Sequence, residues 1–139
     1  MGRIANVRFA TGFFAALLLA GCKPAPPTLD PNAELICRQF FEDVRNGVDL
    51  DAEPQVAHEL KNPTSEAQIA AYRAMIPQEP ASSITLRSWD ATTNSTGTTT
   101  RLAVAYGYVG HTLVAHCALF KSPGGRDPVI VGFMPADEP

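Results

Sequence analysis

Catalytic signatures are missing from this 139-residue sequence. It has no His-Glu-x-x-His pair, no glycine-rich phosphate loop and no Gly-x-Ser-x-Gly elbow. The metalloprotease, P-loop and hydrolase chemistries that those motifs support have no foothold here. Histidine is confined to His58, His111 and His116, and cysteine to Cys22, Cys37 and Cys117. No Cys or His neighbour stands at ligand spacing from Cys37 or Cys117, so no metal site is expected. Basic residues are few: 11 against 14 acidic ones, a net charge of −3. That balance argues against nucleic acid and against an electrostatic grip on anionic lipid. No internal repeat is present.

Long apolar runs are absent as well. The longest, Phe9 to Gly21, holds 13 residues. At ~1.5 Å per residue it makes ~20 Å of helix, short of the ~30 Å of a hydrocarbon core. Arg3 and Arg8 precede it, and small residues close it at Ala20-Gly21. A positive leader, a short apolar run and small residues before a cut make a secretory signal. The competing readings are an uncleaved spanning helix, for which the run is too short, and an ordinary signal in which Cys22 is incidental.

The tetrapeptide Leu19-Ala20-Gly21-Cys22 resembles a bacterial lipobox. The resemblance implies cleavage between Gly21 and Cys22 and acylation of the Cys22 sulfur. A lipid anchor at Cys22 would then hold the chain on its membrane, facing the periplasm, since two or more acyl chains anchor stably. Lys23 stands where enteric inner-membrane lipoproteins carry aspartate, which by the same resemblance favours the outer membrane. Removing residues 1–21 takes two arginines away and leaves nine basic against 14 acidic residues, a net of −5.

Residues 22–32 read as a tether. Pro24, Pro26 and Pro27 favour extended polyproline II at ~3.1 Å per residue. Residues 33–134 read as one small α+β domain, and 135–139 as an acidic tail. Helical spacing of Ile36, Cys37, Phe40, Phe41 and Val44 predicts a helix from Pro31 to Asn46, capped by Asp30 and stopped by Gly47. A second short helix is expected over Asp51–Lys61, and a third from a Thr64 cap to Met75. The period then changes to two. Strands are expected over 84–89, 101–109, 111–121 and 129–134, joined by short polar links as an antiparallel meander. Helices before such a sheet pack on one of its faces.

Cys37 and Cys117 both fall on faces that ought to point inward. In an exported chain they are expected to pair, closing a loop of about 80 residues, with two separate buried thiols as the alternative. His111 and His116 are five apart on one strand and should point to opposite faces. Asp49, Asp51 and Glu53 form an acidic cluster without the glycine and terminal glutamate of a calcium loop, and read as solvated charges. Trp89, Tyr106, Tyr108 and Tyr72 either pack under the helices or form an exposed binding patch.

Residues 33–134 also resemble the NTF2-like or cystatin-like arrangement. The likeness lies in Phe40-Phe41-Glu42-Asp43-Val44-Arg45-Asn46-Gly47 and in the closing Val129-Ile130-Val131-Gly132-Phe133. That fold hosts enzymes, binders and structural modules alike, so it carries no function by itself. The expectation is a non-catalytic envelope module without a cofactor, partnered by the membrane through Cys22 and by another envelope protein. One alternative is an enzyme or ligand binder with a pocket around Tyr106 and His116. Another is a structural component of an envelope assembly.

Overall fold

The computed structural model describes residues 26–139. Gly21 and Cys22, with the cleavage and acylation expected there, lie outside the described residues.

Helix α1 runs Pro31–Asn46. The Asp30 carboxylate accepts the Asn32 N–H at 2.9 Å, and Pro31 occupies the first turn, where its missing N–H costs nothing. Gly47 ends the helix in the left-handed region (φ 89°) and donates to the Val44 carbonyl. Ala33, Ile36, Cys37, Phe40, Phe41 and Val44 are buried along one stripe. Beside that stripe, Glu34 pairs with Arg38 and Glu42 with Arg45, at helical spacings that bring side chains together.

The helix expected over Asp51–Lys61 does not form. Two short 3-10 turns, Leu50–Ala52 and His58–Leu60, flank an extended Gln55–Ala57. Ile130 donates to the Gln55 carbonyl at 2.7 Å, and Ala57 donates to the Ile130 carbonyl at 2.9 Å. Pairing with a sheet edge supplies backbone bonds that a two-turn helix with one apolar i, i+4 contact could not match. Helix α2, Pro63–Met75, is capped by Asn62 rather than Thr64: the Asn62 side chain accepts the Ser65 N–H at 2.9 Å. No residue of α2 is fully buried, and Ile69 and Tyr72 supply its inward contacts.

Four strands follow: β1 Ser83–Asn94, β2 Gly97–Tyr108, β3 His111–Lys121 and β4 Val129–Asp137. They form one antiparallel sheet in the order β1-β2-β3-β4, so the domain is α+β with a meander sheet. Three strands outrun their expected bounds. The polar hairpin around Asn94–Gly97 is paired through Thr92↔Thr99 and Thr93↔Thr98, because threonine's branched Cβ suits a strand whatever its polarity. Strand β4 continues through Pro135 to Asp137, so most of the expected tail belongs to the sheet. Proline is tolerated there because β4 is an edge, where no ladder bond is needed from its nitrogen.

The register sets the faces. Leu102, Cys117 and Phe133 lie side by side across β2, β3 and β4, and Val104 pairs with Ala115. This inner face meets α1: Leu102, Val104, Tyr106, Leu113, Ala115, Cys117, Leu119 and Ile130 are all buried. A disulfide joins Cys37 of α1 to Cys117 of β3, with Cα atoms 6.0 Å apart. Lys121 reaches Asp30 at 3.1 Å, so α1 begins at the end of the sheet where β3 stops.

Candidate functional site

The sequence offers Tyr106 and His116 as walls of one pocket. The register separates them. Tyr106 pairs with Leu113 on the inner face, whereas His116 pairs with Ala103 on the outer one. They do not line a common cavity, because neighbours three positions apart in paired register point to opposite sides of a pleated sheet.

Tyr106 is wholly buried, and its ring stacks on Phe41 of α1. The Tyr106 and Tyr108 hydroxyls and Arg38 Nε are buried without a hydrogen-bond partner among the described residues. All three belong to the seam between α1 and the β1 side of the sheet, beside the Glu34–Arg38 and Glu42–Arg45 pairs. Arg45 also donates to the Gln78 carbonyl at 2.7 Å, closing the far end of the seam. Burial pushes the Tyr106 phenol well above the usual tyrosine range and raises that of Tyr108 as well. A phenol held protonated this way has no base to offer at neutral pH. Of the other aromatics, Tyr72 packs edge-on against Phe133 and Trp89 is half-buried on β1, so they do not merge into one exposed patch.

His116 lies exposed on the outer face. It borders a shallow depression of about 270 Å³ with Arg101, Ala118, Gly132 and Met134. His111 sits on the inner side at the far hairpin, its ring 5.3 Å from that of Tyr108, as strand alternation expects.

The acidic cluster also changes membership. Asp49 and Asp51 are joined by Glu66 of α2, not by Glu53, with ligand atoms within 4.8 Å of one another. All three are exposed, as solvated loop charges are. The neighbouring cleft of about 280 Å³ between α1 and α2 is lined by Val44, Leu50 and Ile69, with Arg73 at its mouth. A smaller cleft of about 220 Å³ lies under α2, walled by Phe40, Leu60 and Phe133.

A further surface escapes a motif-based reading. Strand β1 is an edge over its whole length of 12 residues, since β2 pairs one side only. The opposite edge, β4, is covered at Ile130 by Gln55–Ala57. The inner row of β1, which is Ile84, Leu86 and Trp89, extends beyond the core, with Ile84 41 % exposed. The outer row is polar: Ser83, Thr85, Ser88, Asp90 and Thr92. A meander's first strand is necessarily an edge, and that was the available signal.

Comparison with protein-family models, with curated proteins and with solved structures finds no match to this chain.

Proposed function

We propose that this chain is a lipid-anchored protein of the bacterial envelope whose folded domain works by binding rather than by catalysis. The observation that carries the reading is the Leu19-Ala20-Gly21-Cys22 lipobox, followed by a proline-rich tether and then, from Asp30, a domain with its own cap and core. Seven residues, Lys23 to Leu29, separate Cys22 from Asp30. At ~3.1 Å each they hold the domain within ~25 Å of the bilayer, so its partners lie at the membrane or just above it. The Cys37–Cys117 bridge supports export, because disulfides persist in oxidising compartments. No helix of the described residues is long and apolar enough to cross a membrane. Lys23 favours the outer membrane over the inner. The binding reading is supported by the strand register, which puts Tyr106 and His116, the two residues offered for a pocket, on opposite faces of the sheet. The helix-on-meander arrangement is in keeping with an NTF2-like or cystatin-like module.

Metabolic labelling with a fatty acid tests the anchor. The wild-type chain should take up label and sediment with membranes. Cys22→Ser should lose both, and undiminished labelling of that variant would refute the proposal.

A further inference from the structure

We infer that the cleft under α2 binds an uncharged, apolar small molecule with the bulk of one substituted ring. This ligand class rests on the reading of the domain as a binding module. Two clefts flank α2 and share Leu50 and Ile69 as walls. Their chemistry differs. The cleft between α1 and α2 is bordered by the charges of Asp49, Glu66 and Arg73. Among the described residues, no charged side chain lines the cleft under α2. Its walls are Phe40 of α1, Leu60, Ile69 of α2 and Phe133 of β4. A charged ligand entering it would give up hydration and gain no counter-charge, whereas an uncharged one gains by leaving water.

Size and shape narrow the class. The cleft holds about 220 Å³. An apolar cavity of about 150 Å³ is enough for benzene, so one ring with a short substituent fits here. The rings of Phe40 and Phe133 meet edge to face, with centroids 5.1 Å apart and planes at 87°. A third ring extends that pattern with the geometry aromatic pairs prefer. One hydrogen-bonding group on the ligand is also provided for. Ser65 and Gln68 line the α2 side. The Gln68 amide nitrogen donates to the Tyr72 hydroxyl at 2.8 Å. The amide oxygen is then what Gln68 offers a ligand, beside the Ser65 hydroxyl.

Entry follows from how α2 is held. None of its residues is fully buried. The Asn62 cap fixes one end, buried Ile76 follows the other, and Tyr72 rests edge-on against Phe133 between them. An element with so few buried contacts opens at low free-energy cost, as the covers of binding sites do.

Reversible thiol exchange tests the ligand class on the full acylated chain in phospholipid nanodiscs, once fatty-acid labelling has verified the anchor. Ser65→Cys places a thiol on the cleft wall, and Thr85→Cys places one on the exposed outer row of β1. Each variant is equilibrated with 2-mercaptoethanol and one of three symmetric disulfides, made from 2-phenylethanethiol, cysteamine or 3-mercaptopropionate. Exchange joins one half to the new cysteine and releases the other as a thiol. At Ser65→Cys the phenylethyl adduct should withstand about ten times the 2-mercaptoethanol that displaces either charged adduct, the gain expected from burying a ring. At Thr85→Cys the three adducts should be displaced alike. Equal displacement at Ser65→Cys, or a charged adduct held longest there, would overturn the assignment. A second variant, Ser65→Phe, fills the cleft with a ring of the chain's own. It should keep or raise the thermal midpoint, and a fall of more than about 5 °C would show that no ring fits. A labelled chain that fails these tests keeps its anchor and loses this ligand, so the two readings fail separately.

Discussion

The ring of Phe41 lies flat on that of Tyr106, with centroids 3.7 Å apart and planes 10° from parallel. This contact joins the C-terminal half of α1 to the C-terminal end of β2, and both residues are excluded from solvent. Helix and sheet are keyed together here by apolar area alone, since the Tyr106 hydroxyl bonds to no protein group.

Phe41→Ala should therefore cost about 3–5 kcal/mol, the usual range for emptying an aromatic site in a core. Tyr106→Phe keeps the stack and removes a buried polar atom that has no protein partner. It should leave stability unchanged or raise it by about 1 kcal/mol, because an unmade buried hydrogen bond carries a desolvation penalty. Urea denaturation of the two variants checks both signs. A loss above ~1 kcal/mol in Tyr106→Phe would show that the hydroxyl is satisfied.

The bridge between Cys37 and Cys117 spans 80 residues of sequence. Constraining an unfolded loop of that length is worth about 4–5 kcal/mol in chain entropy. For a small domain this is a large share of a total of ~5–15 kcal/mol. Replacing both cysteines with serine should lower the thermal midpoint by well over 10 °C, read by circular dichroism. Thiol titration of the denatured, unreduced wild type should find neither sulfur free.

Asp43 titrates above its ordinary 3.8 in the fold, first because burial opposes its charge and second because Glu42 repels it. Glu53 shifts the same way through burial and the charge of Asp43. A carboxyl with a raised folded pKa binds its proton more tightly when folded than when unfolded. Stability therefore declines as pH climbs from 3.8 through the folded value, and the ionised group opposes folding at neutral pH. Asp43→Asn should raise the urea midpoint at pH 7 and leave it unchanged well below pH 3.8. A lower midpoint at pH 7 would reverse the assignment.

Much of this architecture was legible because its signals are local. The stripe from Ile36 to Val44, its Asp30 cap and its Gly47 stop specify α1 within 18 residues of sequence. The alternation from Leu102 to Tyr108 marks β2 equally well, and strand alternation alone sends His111 and His116 to different faces. Signals that depend on distant partners were missed. Gln55–Ala57 is extended because Ile130 lies beside it, 75 residues onward from the first of them. Thr92 and Thr93 lie beyond the strand expected over 84–89 until Thr99 and Thr98 are seen opposite. The Tyr106 and His116 pocket failed for the same reason. Each residue's own strand was read correctly, but the sequence does not state which residue of β3 faces which of β2. Glu66 joins Asp49 and Asp51 only once α2 folds back.

The disulfide also has a mechanical consequence. Suppose a pull is applied between an anchor at Cys22 and the end of β4. The tension travels along the tether and the first two turns of α1 to Cys37, then crosses the covalent bridge to Cys117. It never loads the chain between those cysteines, which includes α2, β1 and β2. The bridge thus acts as a strain relief, and the open edge strand β1 lies in the part that bears no load.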